Sequence, residues 1–142
     1  MAAECERLDP IGVLVQEGHM KNIRWGLVLI GAFLAELALV VIAIFATLLT
    51  GQESLVYIVP PASFVAVFAA GIWVARKVSH PVLHGVLVGI GSILIYVGIT
   101  LGGPEPIAYI VAHALKVAGG ALGGFVALRR GAANAVSGAP SA

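Results

Sequence analysis

The chain has 142 residues, of which 60% are hydrophobic and 11% are charged, with a mean hydropathy of +1.04 and a net charge of +1. Soluble domains carry roughly 25% charged residues, so this composition excludes a soluble globular protein and predicts an integral membrane protein. The small net charge and the lack of a basic stripe also argue against a nucleic-acid partner.

The first predicted element is a cytoplasmic N-terminal segment, residues 1–24. It lacks a basic start followed by an apolar stretch, so we expect no cleavable signal peptide. Asp9-Pro10 is typical of a helix start, with Asp9 as N-cap and Pro10 at the first helical position. Two alternatives stay open for this segment, a short amphipathic helix on the membrane surface and a loosely ordered leader.

Four apolar runs follow and predict four transmembrane helices. A helix needs about 20 apolar residues to cross a hydrocarbon core about 30 Å thick, and every run reaches that length. The runs cover residues 25–49, 55–75, 82–101 and 107–128. They form one transmembrane domain over residues 25–130, and the small, polar segment 131–142 is predicted to be a disordered cytoplasmic tail.

The second and fourth runs are similar in sequence. Tyr57–Lys77 aligns without a gap with Tyr109–Arg129, with a tyrosine at one end and a cation at the other. We interpret the domain as a duplicated two-helix hairpin. Because each copy holds two spans, both copies have the same orientation, and we expect a pseudo-two-fold axis along the membrane normal to relate them.

The distribution of cations predicts the topology. All Lys and Arg residues near the ends of the spans lie on one side, whereas the connections 50–54 and 102–106 contain none. The positive-inside rule therefore places both termini in the cytoplasm. Trp25 and Trp73 then lie near the inner interface, and Tyr57 and Tyr109 near the outer one, which are favourable positions for amphipathic rings.

Glycines and prolines predict how the helices pack and bend. Small residues let helix backbones approach closely in lipid, where no hydrophobic force drives association. We expect the third and fourth spans to pack together, or against another subunit, through Gly85, Gly89, Gly119, Gly120, Gly123 and Gly124. In the second span, Pro61 removes a backbone hydrogen bond, so Pro60-Pro61 predict a helix kink or an unwound turn.

Three ionisable residues fall inside the membrane, away from its interfaces: Glu36, His113 and Lys116. Glu36 lies about 18 Å along its helix from Arg24, and Lys116 about 20 Å from Arg129, so the two are at similar depth near the midplane. An isolated charge there costs about 3 kcal/mol or more. We therefore expect Glu36 and Lys116 to pair, with His113 on a neighbouring part of the same helix face.

The sequence does not indicate catalysis, cofactor binding or metal binding. No catalytic motif is present, so we expect no enzyme activity and no cofactor. His80 and His84 suggest a metal site, but a zinc site needs three or four ligands and the sequence supplies no convincing set. Pro81 is better explained as the first residue of the third helix, which would leave both histidines at the interface.

The stretch His80–Gly89 and the glycine-rich end of the fourth span, Gly123–Arg130, resemble small four-span prokaryotic membrane proteins of uncharacterised function. The resemblance implies a location in the plasma membrane and no particular activity. The leading functional hypothesis is a non-enzymatic structural or interaction subunit, with lipid and either a second copy or another membrane protein as partners. The alternative is a small oligomeric transporter or channel that uses Glu36, His113 and Lys116.

Overall fold

The computed structural model describes residues 23–101, 103 and 106–137, with side chains up to Ala133. This part of the chain is helical, as predicted. Its elements are α1 (Trp25–Thr50), a 3₁₀ turn (Gln52–Ser54), α2 (Leu55–Ala75), α3 (Pro81–Thr100) and α4 (Ile107–Ser137). All four α-helices are long and apolar enough to cross a membrane, which confirms the prediction of four such helices. The segment 1–22, with its predicted helix start at Asp9, lies outside the described residues.

The helix ends have simple local causes. Gly51 ends α1 with a φ of +84°, a conformation that favours glycine. Pro81 is the first residue of α3, where its missing N–H costs nothing. Leu101 ends α3 in the left-handed conformation, with a φ of +55°, so this helix stops one residue before the predicted boundary.

The fourth helix is longer than predicted. It continues through Gly131 to Ser137, so the helix includes the first seven residues of the segment that was predicted to be disordered. The physical reason is composition, because this stretch is rich in alanine, which has the highest helix propensity of all residues. As a result, α4 extends well past the level at which α2 ends and α3 begins.

The two prolines of α2 do not interrupt it. Pro60 and Pro61 both lie within the continuous helix Leu55–Ala75, so the turn is not unwound, and a bend at this point stays a prediction. The Ser63 hydroxyl donates a hydrogen bond of 2.7 Å to the Pro60 carbonyl oxygen and lies 3.4 Å from the Ala112 carbonyl oxygen of α4. The proline turn therefore faces α4.

The four helices form a bundle with unequal diagonals. α2 and α3 each contact all the other helices, whereas α1 and α4 have no Cα atoms within 8 Å of each other. A two-fold axis along the membrane normal would exchange the α2–α3 pair with the α4–α1 pair and make them equivalent. The expected pseudo-two-fold relation is therefore wrong, and the two hairpins lie side by side, with α1 next to α3 and α2 next to α4.

Glycines of α4 make two separate backbone contacts. A Cβ at Gly120 would overlap the Gly85 carbonyl oxygen of α3, and one at Gly124 would lie 2.5 Å from the Pro81 carbonyl oxygen. On the other side, Cβ atoms at Gly119 and Gly123 would lie 2.7 and 2.5 Å from the carbonyl oxygens of Phe64 and Phe68 in α2. Gly120 and Gly124 thus pack α4 against α3, and Gly119 and Gly123 pack it against α2.

The apolar core is small, and the outer surface is strongly hydrophobic. Val28 and Ala35 of α1, Val67 and Val74 of α2, and Val88 of α3 form the buried cluster. Large apolar side chains cover the outside, mainly on α1, where Leu48 is 76% exposed and Phe45 is 61% exposed. An apolar surface of this extent is unusual for soluble monomers and fits contact with lipid.

Candidate functional site: a buried polar cluster

Three helices bring polar side chains to one point in the bundle. Glu36 lies in the middle of α1, Ser92 in the second half of α3, and Lys116 in the first third of α4. All three are buried, with exposed fractions of 6%, 0% and 3%. The cluster therefore lies within the apolar part of the bundle, where an unpaired charge is costly.

Both donors of the cluster reach the same oxygen atom. The Lys116 Nζ lies 2.5 Å from Glu36 Oε1, and the Ser92 hydroxyl donates a hydrogen bond to this oxygen. A charged pair in a low-dielectric setting is tolerated only with good geometry and further hydrogen bonds. Ser92 supplies such a bond, so the carboxylate is held by one cation and one hydroxyl.

An aromatic ring completes the surroundings of the lysine. The Lys116 Nζ lies 5.0 Å from the ring centroid of Tyr96 on α3. An ammonium group within about 6 Å of an aromatic face is attracted by the negative face of the ring. Because Gly89 of α3 opposes the Lys116 backbone, where a Cβ would lie 2.7 Å from the Lys116 carbonyl oxygen, α3 and α4 are close enough for this contact.

The ion pair crosses the long diagonal of the bundle. The α1 and α4 backbones do not approach within 8 Å between Cα atoms, yet the side chains of Glu36 and Lys116 meet. A glutamate and a lysine are both long and flexible enough to span such a gap. The pair is therefore the direct link between α1 and α4, and Ser92 ties it to α3.

His113 lies about one turn before Lys116 in α4, on the side of Tyr109. Its ring packs edge-on against the Tyr96 ring at a centroid distance of 5.1 Å, and Tyr96 stacks on Tyr109 at 6.1 Å. Tyr96 therefore contacts both Lys116 and His113. The row formed by Lys116, Tyr96, His113 and Tyr109 runs from the buried pair towards the start of α4.

A second polar contact set involves His84, which the sequence placed at the interface. The structure shows His84 fully buried within the bundle at the start of α3, and its depth at the membrane interface stays a prediction. Its Nε2 accepts a 3.2 Å hydrogen bond from the Arg24 backbone N–H, so Nδ1 carries the proton and donates to the His80 carbonyl oxygen at 2.9 Å. Both ring nitrogens therefore bond to backbone groups, and His84 fixes the start of α1 against α3.

Sequence reasoning missed Ser92 and Tyr96. Both continue the helical face that begins with the glycines of α3, since Gly85, Gly89, Ser92 and Tyr96 follow one another at spacings of four, three and four. Residues at these spacings share one side of a helix. Extension of the glycine pattern by two turns would have identified them.

Comparison with protein-family models, with curated proteins and with solved structures finds no match to this chain.

Proposed function

We propose that the protein is a non-enzymatic integral membrane protein that acts as a structural or interaction subunit. In this proposal the bundle arose from a duplicated hairpin and lies in a prokaryotic plasma membrane with both termini in the cytoplasm. The clustering of Arg24, Arg76, Lys77, Arg129 and Arg130 at one end of the bundle supports this orientation. We call this end the cation-rich end.

The closed cluster of Glu36, Ser92 and Lys116 is the observation that carries the proposal. The carboxylate and the ammonium are almost fully buried, and the cavities along α1 and α2 and at the cation-rich end are lined by other residues. A buried pair that is bonded to its neighbours fixes helix register. A transport pathway would need water or substrate to reach it.

A double-mutant cycle tests this role. Removal of one partner of a buried ion pair leaves an uncompensated charge and costs about 3–5 kcal/mol. We expect Glu36→Gln and Lys116→Met each to lower the thermal stability in detergent by such an amount, and the double variant to lose less than either. Glu53→Gln, a neutralised exposed carboxylate in the turn after α1, is the matched control and should have little effect. Independent and small effects at positions 36 and 116 would contradict a structural pair.

The second candidate is a small oligomeric transporter or channel. The row of Lys116, Tyr96, His113 and Tyr109 favours it, because titratable groups within membrane spans often mark proton pathways. A transporter also predicts that Glu36→Gln abolishes ion or proton flux into vesicles reconstituted with the protein, while the fold is kept.

Accessibility to water separates the two candidates. With the single cysteine removed by Cys5→Ser, the variants Ser92→Cys, Thr100→Cys and Ser63→Cys are treated with a charged, membrane-impermeant maleimide. Thr100 is exposed at the end of α3 and should react, and buried Ser63 should not. We expect Ser92→Cys to behave like Ser63→Cys. Rapid labelling of Ser92→Cys would reveal a hydrated path to Glu36 and favour transport.

A further inference from the structure

A cavity of about 630 Å³ opens at the cation-rich end between α4 and the α2–α3 connection. Its volume is within the range of about 300–1,000 Å³ that is usual for small-ligand sites. One wall comes from the end of α2 and the start of α3, and the other from α4. The lining residues are Ala75, Arg76, Val78, Pro81, Ala127, Leu128, Arg130, Gly131 and Ala132.

The helix packing described above builds this cavity. At its base, Gly124 of α4 approaches Pro81 so closely that a Cβ would lie 2.5 Å from the Pro81 carbonyl oxygen. Beyond this contact α4 continues to Ser137, whereas α3 begins only at Pro81 and has no residues at that level. The extra turns of α4 therefore form a free-standing wall over the α2–α3 connection.

Within the described residues, the side chains of two arginines in this cavity have no polar partner. At the same end, the Arg24 Nη1 donates to the Lys77 carbonyl oxygen at 3.1 Å, the Lys77 Nζ lies 4.1 Å from the Trp73 ring centroid, and Arg129 lies 4.7 Å from the Phe125 ring centroid. In the part of the chain that the structure describes, the side chains of Arg76 and Arg130 make no hydrogen bond or ion pair. The carboxylates there, Glu36 and Glu53, lie elsewhere in the bundle. Among the described residues, no carboxylate compensates the positive charge of this cavity.

The cavity lies at the level of lipid headgroups. The apolar run of α4 ends at Leu128, one residue before the cations begin. Trp73 and Lys77 stack on each other at this level, and tryptophan is enriched at the membrane–water interface. Ala127, Leu128 and Val78 offer apolar surface on the membrane side, and Arg76 and Arg130 offer cations above it.

We infer that this cavity binds one anionic phospholipid. Arg76 and Arg130 hold the phosphate through paired N–H donors, a geometry to which guanidinium groups are suited. The first methylenes of the acyl chains pack on the apolar lining residues. Basic pockets between transmembrane helices bind anionic headgroups for these reasons. The inference is independent of the two functions proposed above, because it needs only that this end lies at a membrane surface.

The inference is tested with purified full-length protein in phosphatidylcholine micelles, titrated with dioleoylphosphatidylglycerol and followed by thermal stability and by native mass spectrometry. At about 0.3 M salt the Debye length is near 6 Å, which suppresses long-range attraction. We expect one retained phosphatidylglycerol per chain. In the variant Arg76→Gln/Arg130→Gln its apparent affinity should fall about 30-fold, which corresponds to the usual contribution of two surface cations.

Matched variants separate contact from net charge. Lys77→Gln/Arg129→Gln removes the same charge at the same end but outside the cavity, so we expect a loss below about threefold. Ala132→Trp keeps both arginines and fills the cavity, so affinity should fall about tenfold. All variants should keep the wild-type thermal midpoint in pure phosphatidylcholine, since they change exposed residues. Equal losses in the two charge variants would overturn the inference in favour of unspecific attraction.

Two further outcomes would also overturn it. If soluble glycerol 3-phosphate stabilises the protein at the same concentration as the lipid, the cavity binds a free phosphate compound. The N-terminal segment contains Glu4, Glu6, Asp9 and Glu17, which lie outside the described residues. If phosphatidylglycerol binds only after all four are changed to Gln or Asn, the cavity belongs to this segment of the chain itself.

Discussion

The attachment of α4 and the attachment of α1 use different physical means. α4 meets α3 and α2 backbone to backbone, where Gly120 touches Gly85 and Gly123 touches Phe68. α1 meets its neighbours through side chains, with Gly31 against the methyl groups of Val74 and Val88. α1 also has the most exposed apolar surface, and its link to α4 is the Glu36–Lys116 pair.

The difference shows two solutions to helix association without a hydrophobic driving force. Backbone contact through glycine supplies a large area of close packing and needs no polar group. A helix without such a seam can be held by a buried polar link, which costs desolvation energy but fixes position. The bundle therefore consists of a glycine-packed unit, α2–α3–α4, and one helix that packs through apolar side chains and a buried polar link.

The largest effect is expected where the polar link of α1 is reversed. Glu36→Lys places two buried ammonium groups together and should cost more than about 5 kcal/mol, since even one unpaired buried charge costs several. The exchange Glu36→Lys/Lys116→Glu restores opposite charges and should recover most of this loss. Yield of monodisperse protein and thermal stability in detergent report both effects. An exchange variant as unstable as Glu36→Lys would show that the pair does not hold α1.

The glycine seam is tested next. In Gly85→Ala the new methyl group would overlap the Gly120 carbonyl oxygen, and forced overpacking costs about 1–3 kcal/mol. We expect a loss at the upper end of this range, measured as a lower thermal midpoint. Gly98→Ala on the same helix is the control, because its Cβ would meet no atom within 4 Å. If both variants behave alike, close backbone contact does not explain the packing of α4.

His84 provides a smaller, local test of how the start of α1 is held. His84→Leu leaves the partly buried Arg24 N–H without its acceptor. Since a fully buried unsatisfied donor costs about 1–3 kcal/mol, we expect a loss at or below the lower end of this range. Hydrogen exchange at the first turn of α1 should become faster, while exchange at the α3–α4 seam should not change. His84→Gln, which retains an acceptor, should recover part of the protection. Ser79→Ala changes an exposed residue in the connection between α2 and α3 and is the control.

Ser92 should show the smallest effect. Ser92→Ala removes one of the two donors to Glu36 Oε1 but leaves the ion pair in place. Side-chain hydrogen bonds in membrane proteins contribute about 0.6–1.7 kcal/mol, so we expect a loss of about 1 kcal/mol in detergent. Thr47→Ala removes a hydroxyl that bonds only within its own helix and should be neutral. A loss above about 3 kcal/mol would mean that Ser92 is essential for pairing.

The fold was predictable because each apolar run has a length set by the thickness of the bilayer. The limits of α1, α2 and α3 differ from the predicted ones by at most one residue. The end of α4 was not predictable in this way, since beyond Arg130 helix propensity replaces hydrophobicity as the determining factor. The arrangement of the hairpins also could not be obtained from the repeat, because similar sequences do not specify which faces meet.

The candidate site was predictable in its charges and not in its neutral members. Glu36 and Lys116 stand out because charges are rare within spans. Ser92 and Tyr96 do not stand out, as hydroxyl and aromatic groups are common there. The two roles of the α4 glycines were also hidden, since Gly119 and Gly120 are adjacent in sequence but contact α2 and α3 respectively.

The sequence separation within the polar cluster has a consequence for biogenesis. Glu36 enters the bilayer 56 residues ahead of Ser92 and 80 residues ahead of Lys116. At a synthesis rate of about 5–20 residues per second, Lys116 is synthesised roughly 4–16 s after Glu36. During this interval Ser92 is the first of the two partners of Glu36 to be synthesised. A nascent chain that lacks α4 would therefore expose an unmatched acid to the lipid, a mark by which incomplete products differ from the finished protein.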